Sequence, residues 1–438
     1  MKIIGICFII YMVMRNMNKY YDRYIEKIIE KKLKSSGAVL IAGPKFCGKT
    51  TSGSQFAKSI YRINTKSIVK NTRLNPKLAL IGEQPHMIDE WQKVPDTWNY
   101  VKEDLDINYV FGKYILTGSS TPADKTEIQH DGAGRIVPLK MYPMSLYESL
   151  ESKGKVSLRE LFNNDIEIND PNSDFTLEKA AFLTCRGGWP LSINDDEEVS
   201  LDITKNYYDG LFTFEDSDNE KFRNKKPEIF KMILKSYARN ISTEASLKTM
   251  IEDVKQSNER TMDPKTFDDY LEALKDLYII EDMNAWCPNI RSKTSIVATP
   301  TRHFVDTSIA CQALGLYPQD LINDSNSFGF FFEDFAVRDL RIYTSLLGGQ
   351  INHYRDNAGL ECDAVVRLNN GKWAAIEIKL GGDELIEYGA SKLSLLKNKL
   401  IEKSDVSKPI FMMILTAFGP AYRRPDGIYV VPINLLKD

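Results

Sequence analysis

Residues 43–50 read G-P-K-F-C-G-K-T and match the phosphate-binding pattern G-x-x-x-x-G-K-[ST] at every fixed position. The apolar run A-V-L-I-A precedes them at residues 38–42, and residues 50–60 have the character of a helix. A strand, a glycine-rich loop and a helix in this order mark a nucleotide site rather than an ordinary glycine-rich turn. The sequence therefore predicts an α/β domain that binds a nucleoside triphosphate.

The residue types in this loop fit the parts of a nucleotide. Gly43 and Gly48 let the backbone wrap closely around a phosphate, and the positive end of the following helix adds to the attraction. Lys49 would reach the β- and γ-phosphates of ATP, and the Thr50 hydroxyl would ligate Mg²⁺. We expect contacts to the nucleotide from Gly43, Pro44, Lys45, Cys47, Gly48, Lys49, Thr50 and Thr51.

Two carboxylates end a second apolar run, P-H-M-I-D-E at residues 85–90. Asp89 would hold the Mg²⁺ shell, and Glu90 would polarise the water that attacks the γ-phosphate. A third run, Y-I-L-T at residues 114–117, leads to Ser119, which either positions water near the γ-phosphate or belongs to a plain turn. Together these residues predict a magnesium-dependent ATPase site.

Arg135 follows a loop that contains Gly132 and Gly134 and precedes an apolar run at residues 136–139. An arginine here could stabilise the charge of the transferring phosphoryl group, in cis or from a neighbouring subunit of an oligomer. A solvated or structural arginine is the alternative. The sequence leaves these interpretations open.

The composition indicates a globular chain of several domains. The 438 residues are 43% hydrophobic and 27% charged, and a typical domain length of about 150 residues implies three domains. The formal net charge of −3 excludes a bulk attraction to nucleic acid, so such binding would need a local patch. The six cysteines are dispersed without a C-x-x-C pair, which excludes a zinc knuckle and fits a reducing cytoplasm.

The chain opens on an apolar stretch at residues 3–14, which is shorter than the roughly 20 residues that span a bilayer. No small-residue cleavage site follows it, so we do not expect a secretory signal. We treat residues 1–16 as an extension of uncertain origin, with a weak membrane anchor as the alternative. The protein is expected to be cytoplasmic, with no membrane partner.

Four motifs occur in the order G-P-K-F-C-G-K-T-T (43–51), I-D-E-W-Q-K-V-P (88–95), Y-I-L-T-G-S-S (114–120) and G-A-G-R-I-V-P-L-K-M-Y-P-M-S-L-Y-E (132–148). Together with R-G-G-W-P at residues 186–190, they resemble a family of prokaryotic AAA-type ATPases. The carboxy-terminal domain of that family has long been described as of unknown function. The resemblance extends over nearly the whole chain from residue 17. Lys45 replaces the arginine that is usual in the family, and this change keeps the charge.

Residues 151–226 are polar and rich in Asn and Asp, and we expect a lid and linker there. The resemblance implies a winged helix-turn-helix at residues 227–315, with a wing formed by residues 278–280 and 295–297. Its helix at residues 264–276 would expose the acidic side chains Asp268, Asp269, Glu272 and Asp276. A recognition helix needs Arg, Lys, Asn or Gln, so we expect this module to contact a protein partner or serve the structure rather than read DNA.

The carboxy-terminal residues 322–438 carry a second candidate site. Strand alternation puts Glu377 and Lys379 on one face, and Asp363 on a paired strand can lie beside them. Two carboxylates that bind a divalent cation, with a lysine to orient water or balance charge, can support metal-assisted phosphodiester hydrolysis. The arrangement resembles the PD-(D/E)xK nuclease fold, which adds Glu333 on a helix as a further acid. Retained cleavage and a degenerate, binding-only domain both remain open.

The sequence thus predicts an α/β multidomain chain with a P-loop NTPase three-layer core at residues 17–150, a winged helix and a restriction-endonuclease-like domain. Its function would be Mg²⁺-dependent ATP hydrolysis, coupled to a nuclease-like domain that acts on nucleic acid or is regulated by it. The alternative is a nucleotide-switched interaction or signalling protein with an inactive nuclease fold. An oligomer is compatible with both.

Overall fold

The computed structural model describes residues 20–120, 132–163, 166–171, 174–194, 196–212, 225–258, 262–288, 299–403 and 408–438. The predicted extension at residues 1–16 lies outside these ranges. Within the described part of the chain, no helix combines the length and the apolar character needed to cross a bilayer.

The amino-terminal part is built on a parallel sheet with the spatial strand order β2-β3-β4-β1-β5. Its strands are β1 (Ala38–Ala42), β2 (Ser59–Arg62), β3 (His86–Asp89), β4 (Tyr114–Gly118) and β5 (Ile136–Lys140). Its helices are α1 (Tyr24–Leu33), α2 (Lys49–Ser54), α3 (Lys66–Leu74) and α4 (Asp96–Ile107). The predicted strand, loop and helix are present, but α2 ends at Ser54 rather than residue 60 because its T-T-S-G-S stretch forms helix poorly.

Helices cover both faces of this sheet. Val39 and Ile115 point into a hydrophobic cluster that includes Ile29 of α1. Ala38 and Leu116 point the other way, into a cluster that α4 also lines. Because successive strand side chains face opposite sides, each strand contributes to two cores. The arrangement is a three-layer α/β core, as the sequence predicts.

Residues 151–226, predicted as a lid and linker, contain packed helices in their described parts. The elements are β6 (Val156–Ser157), α5 (Leu158–Asn163), β7 (Asn169–Asp170), α6 (Leu177–Arg186) and α7 (Glu197–Gly210). Residues 180–186 of α6 are all buried, which a flexible linker would not show. Part of the polar composition serves as helix caps: Thr176 accepts a hydrogen bond from a backbone N–H of α6, and Asp196 does so for α7.

In its described residues, the predicted winged-helix region at residues 227–315 contains four helices and two isolated antiparallel bridges. The helices are α8 (Pro227–Arg239), α9 (Leu247–Asn258), α10 (Pro264–Asp276) and α11 (Thr307–Leu314), and α12 (Pro318–Asn323) follows the region. Ile280 pairs with Phe304, and Met283 pairs with Thr301. The first predicted wing strand, residues 278–280, thus pairs beyond the second predicted wing strand in the sequence. The second predicted strand, residues 295–297, lies outside the described residues. The winged helix stays a prediction.

The carboxy-terminal part contains a mixed sheet with the order β7-β12-β13-β11-β10-β9-β8. Its later strands are β8 (Gly349–Arg355), β9 (Glu361–Leu368), β10 (Trp373–Lys379), β11 (Met412–Thr416), β12 (Ala421–Arg423) and β13 (Tyr429–Pro432), while β14 (Leu436–Lys437) pairs with β6. Strands β8, β9 and β10 form an antiparallel meander, and β11 is parallel to β10. The helices α13 (Ser325–Leu346) and α14 (Asp383–Lys403) flank the meander in the chain.

The R-G-G-W-P turn joins the amino-terminal part to the following helices. The Gly188 carbonyl accepts a hydrogen bond from the Met144 N–H at 2.6 Å, and the Gly188 N–H donates to Asp306 at 2.9 Å. A Cβ atom on Gly188 would lie 2.1 Å from the Met144 carbonyl oxygen. Only glycine therefore permits this backbone approach.

We predict that Gly188→Ala destabilises the protein by about 1–3 kcal/mol, because the added methyl group must displace backbone atoms. Gly329→Ala is the control, because a Cβ atom there meets nothing within 4 Å and the site lies inside α13. That change should leave stability equal or raise it, since alanine favours helix. Thermal unfolding midpoints measure both, and an unchanged midpoint for Gly188→Ala would contradict the close approach.

Candidate functional site

The phosphate loop lies at the carboxyl edge of the parallel sheet, directly after β1. A Cβ atom on Gly43 would lie 2.2 Å from the Met141 carbonyl oxygen, and Gly48 has a φ of 103°. The first glycine is thus required by a close backbone approach and the second by a left-handed backbone. Gly48 leads into α2 without a side-chain cap, which leaves the amino end of the helix open toward the loop.

Lys49 is buried within the loop. Its Nζ donates a hydrogen bond to the Pro44 carbonyl oxygen at 2.6 Å, and only 5% of the residue is exposed. The ammonium is therefore held in the concavity that a phosphate loop offers to the β- and γ-phosphates.

The other predicted loop residues contribute unequally. Lys45 and Thr51 are exposed, and Cys47 is buried with its Sγ 3.8 Å from the Met141 carbonyl oxygen. The Cys47 side chain therefore faces the protein interior, and the loop presents backbone rather than thiol at this position. Whether Lys45 and Thr51 touch a nucleotide remains a prediction.

Thr50 and Asp89, which the sequence predicts as Mg²⁺ ligands, contact each other. The Thr50 hydroxyl donates to Asp89 Oδ1 at 2.8 Å, and the Thr117 hydroxyl donates to the same oxygen at 2.5 Å. The register explains the meeting, because Asp89 pairs with Thr117 at the carboxyl ends of β3 and β4. One hydroxyl and one carboxylate are a fitting protein contribution to a Mg²⁺ site, because this ion keeps several waters and takes further ligands from phosphates.

Glu90 lies just beyond Asp89 in a left-handed backbone conformation, with a φ of 61°. Its Oε2 accepts hydrogen bonds from the Ser119 hydroxyl at 3.3 Å and from Gln92 Nε2 at 2.8 Å. The predicted pair Glu90 and Ser119 is thus brought together. A non-glycine residue in this conformation is strained, and such strain concentrates at functional sites.

Gln92 is a member of the site that the sequence reasoning missed. Its Nε2 also donates to the Ser119 hydroxyl at 3.3 Å. Gln92 stands within the quoted I-D-E-W-Q motif, but nothing in the spacing of that motif assigns it a contact. The adjacent Gly118 makes room for it, because a Cβ atom there would lie 2.9 Å from Gln92 Oε1.

Arg23 is a second residue that the sequence reasoning missed, and its side chain holds the backbone of the phosphate loop through hydrogen bonds. Its guanidinium donates to the Cys47 carbonyl at 2.7 Å and to the Tyr142 carbonyl at 2.8 Å, and it pairs with Glu148 at 3.2 Å. The Arg23 residue is only 7% exposed. Arg23 immediately precedes α1 and lies 24 positions before Cys47, so no motif in the sequence connects it to the loop.

Arg135 does not lie at this edge of the sheet, and its catalytic role stays a prediction. Arg135 precedes β5, whereas the phosphate loop follows the other end of the neighbouring β1. Five strand residues separate the two edges by about 16 Å. The Arg135 Nε instead donates to Asp106 Oδ1 at 2.7 Å, at the amino edge of the sheet. A role in a neighbouring subunit remains a prediction.

The carboxy-terminal candidates form a compact cluster of charges. The β9–β10 register pairs Ala364 with Ile376, so Asp363 comes opposite Glu377 at the next position. Lys379 Nζ lies 2.7 Å from Asp363 Oδ2 and 2.8 Å from Glu377 Oε2. Lys392 of α14 adds a second ammonium, 3.0 Å from Glu377 Oε2.

Burial and the neighbouring charges together set the pKa values in this cluster. Burial and the negative charge of Asp363 raise the pKa of the Glu377 carboxyl to about 7. Burial alone would lower the pKa of Lys379, but Asp363 and Glu377 outweigh it and raise that pKa. Burial, followed by the charge of Asp363, raises the pKa of Glu333 well above its ordinary value. Glu333 thus belongs to the same electrostatic neighbourhood.

The prediction of a three-carboxylate metal site needs a correction. Among the described residues, no group of three or more His, Cys, Asp or Glu side chains is arranged to hold a metal ion. The ammonium of Lys379 stands between Asp363 and Glu377, where two carboxylates would otherwise share a cation. Glu333 is therefore not a third ligand in this arrangement.

The chain matches three family models in consecutive stretches. Residues 35–150 match the AAA domain, residues 177–320 match a domain of unknown function (DUF8612), and residues 328–436 match a domain of unknown function (DUF4143). The first match coincides with the parallel sheet and the phosphate loop. This part of the chain is therefore similar to the AAA domain in sequence, and it carries the phosphate loop. The second match crosses our predicted boundary at residue 226, in keeping with the packed helices on both sides.

Similar proteins occur in bacteria and archaea. The uncharacterized proteins Rv2008c of Mycobacterium tuberculosis and Mb2031c of Mycobacterium bovis are each 25% identical over 359 residues, which cover 80% of this chain and 72% of theirs. Uncharacterized protein MJ1544 of Methanocaldococcus jannaschii is 26% identical over 245 residues, 54% of this chain and 50% of that one. The Walker-type ATPase PABY2304 of Pyrococcus abyssi has a TM-score of 0.41 and 14% identity, and the match covers 67% of this chain and 96% of that one.

We predict that Arg135→Ala leaves nucleotide affinity and hydrolysis by the isolated chain unchanged, because the guanidinium is bonded to Asp106 far from the loop. Lys102→Ala is the matched control, since Lys102 pairs with the same carboxylate at 2.9 Å. Each change should alter stability by less than about 1 kcal/mol, as is usual for accessible ion pairs. A loss of hydrolysis in Arg135→Ala alone would mean that this arginine acts across a subunit interface.

Proposed function

We propose that this protein is a Mg²⁺-dependent ATP hydrolase. The observation that carries the proposal is the convergence of the phosphate loop, Asp89 and Glu90 at one edge of the sheet, with Thr50 and Asp89 joined at 2.8 Å. Mg²⁺ bound by Thr50 and Asp89 would offset the charge of the phosphates. The match of residues 35–150 to the AAA domain supports this assignment.

Different residues of the site have different roles in the proposed ATP hydrolysis. The loop backbone and Lys49 bind and orient the phosphates. Glu90, which follows the metal-binding Asp89 in the chain and has a left-handed backbone, accepts a proton from the attacking water. Ser119 and Gln92 hold the Glu90 carboxylate in place through the hydrogen bonds to its Oε2.

We predict that Lys49→Ala abolishes ATP binding, because the loop loses the cation that faces the phosphates. Glu90→Gln should bind ATP with near-normal affinity and hydrolyse it at least about 10²-fold more slowly, because an amide does not accept the proton. Nucleotide affinity and phosphate release are measured on both variants. Lys58→Ala, an exposed lysine beyond α2, is the control and should match the unmodified protein. Normal turnover by Glu90→Gln would remove this residue from the mechanism.

A second candidate function, metal-assisted phosphodiester hydrolysis, rests on the carboxy-terminal cluster. The order α13, β8, β9, β10, α14, β11 places an antiparallel meander and a parallel strand between two helices, and Asp363, Glu377 and Lys379 converge on its central strands. Asp363 and Glu377 would hold the divalent cation once Lys379 moves aside. This order supports the nuclease-like fold that the sequence resembles.

The same contacts also support the alternative of an inactive fold that signals or binds. The ammonium groups of Lys379 and Lys392 neutralise the carboxylates of Asp363 and Glu377. The cluster therefore needs no bound cation to balance its charge. The acidic side chains Asp268, Asp269 and Glu272 are exposed on α10, which favours a protein partner over DNA for that helix. Cleavage therefore decides between the two functions.

We predict that, if the cluster is catalytic, the protein cleaves DNA or RNA with Mg²⁺ or Mn²⁺ and not with EDTA. Asp363→Asn should remove metal binding and cleavage together, whereas Lys379→Ala should spare metal binding and slow cleavage. Glu361→Gln is the control, because Glu361 is half exposed at the rim of the cluster. The assay is run with ATP, with a non-hydrolysable analogue and without nucleotide. Absence of cleavage in all three, with no metal bound in calorimetry, would establish the inactive fold.

A further inference from the structure

Among the hydrogen bonds described around Glu90, one buried acceptor atom, Gln92 Oε1, has no partner. Gln92 Nε2 donates to Glu90 Oε2 at 2.8 Å and to the Ser119 hydroxyl at 3.3 Å, which uses both of its hydrogens. The Ser119 hydroxyl donates its own hydrogen to Glu90 Oε2. Gln92 Oε1 is buried and has no hydrogen-bond partner within the described part of the chain.

Chemistry fixes which end of the Gln92 amide faces Glu90. An ionised carboxylate only accepts hydrogen bonds, so an amide turned the other way would set its oxygen against the Glu90 oxygen. The NH₂ group must therefore face Glu90, and Oε1 must be the free end. Gly118 leaves room for this end, because any larger residue would put a Cβ atom 2.9 Å from Oε1.

A buried acceptor without a partner is uncommon and calls for a ligand, a water or a catalytic role. Gln92 lies between Glu90, which we assign as the base, and Ser119, which follows β4. Strand β4 in turn lies between β1, which precedes the phosphate loop, and β3, which ends in Asp89. The amide that carries this oxygen is therefore part of the group formed by Glu90 and Ser119, where the proposed base takes its proton.

We propose that Gln92 is the water-positioning residue of the ATPase site, an inference that rests on the proposed hydrolysis. Oε1 accepts one hydrogen of the attacking water, and Glu90 takes the other as a proton. The water oxygen bonds to the γ-phosphorus, the bond from that phosphorus to the bridging oxygen breaks, and ADP leaves with the electron pair. Gln92 neither gains nor loses a proton.

The test compares Gln92→Ala and Gln92→Asn with the unmodified protein and with Lys93→Ala from the same short turn. Three quantities are measured with Mg²⁺: the hydrolysis rate under single-turnover conditions, the affinity for a non-hydrolysable ATP analogue, and the affinity for ADP with aluminium fluoride. The last complex mimics the transition state, including the in-line water, and therefore reports the interaction that we assign to Gln92.

We expect Gln92→Ala to hydrolyse ATP about 10²-fold more slowly and to bind the transition-state mimic correspondingly more weakly, while its affinity for the ATP analogue stays unchanged. Gln92→Asn should show the same changes, because the shorter side chain draws the amide oxygen back by one methylene. This variant keeps the proposal testable if Gln92→Ala fails to fold. Lys93→Ala should match the unmodified protein.

A rate close to that of the unmodified protein in both variants overturns the inference, and so does an equal loss of affinity for the analogue and for the mimic, which would assign Gln92 a structural role. If the unmodified protein hydrolyses no ATP, the proposed function fails and this inference fails with it. A hydrolysing protein with unaffected Gln92 variants refutes the inference alone.

Discussion

The buried guanidinium of Arg23 is the interaction on which the nucleotide site depends. It holds two backbone carbonyls, one in the phosphate loop at Cys47 and one at Tyr142, and its charge is balanced by Glu148. A buried charge that loses its partner typically costs about 3–5 kcal/mol, so this set of contacts tolerates little change. The shape of the loop is therefore imposed from outside the loop motif.

The same polar core continues into the carboxy-terminal part of the chain. Asp339 on α13 accepts the Leu146 N–H at 2.8 Å, within the segment that carries Tyr142 and Glu148. Arg338 pairs with Asp339 and with Asp306, and Asp306 in turn accepts the Gly188 N–H. These contacts are buried, where electrostatic interactions are strong and unpaired groups are costly. They join the domain that carries the phosphate loop and α13 into one packed unit.

Helix α13 extends this connection to the carboxy-terminal cluster of charges. Glu333 lies on the same helix only six residues before Asp339, which is about 9 Å along the helix axis. Glu333 shares its electrostatic surroundings with Asp363, Glu377 and Lys379. A single rigid element thus contacts the segment behind the phosphate loop and the carboxy-terminal cluster. Any effect of nucleotide on that cluster has a contiguous route through packed residues.

The sequence predicts those features whose residues are close neighbours in the chain. The loop around Lys49 and the Asp89–Glu90 pair are recognisable because strand, turn and chemistry occur in one short segment. Gln92 and Arg23 escaped because their roles come from contacts across strands and between distant segments; Arg23 and Glu148 are separated by 125 positions. The roles considered for Arg135 stayed open because the edge of the sheet at which it lies depends on the register of β5 with β1. The helices of residues 151–226 were missed because their capping residues resemble those of loops.

The most direct test of this account is phosphate release from ATP by the unmodified full-length chain, measured with Mg²⁺ and with excess EDTA. The account predicts steady release with Mg²⁺ and none with the chelator, because Thr50 and Asp89 are arranged for the metal that the phosphates require. No release with Mg²⁺, or equal release with EDTA, would contradict it.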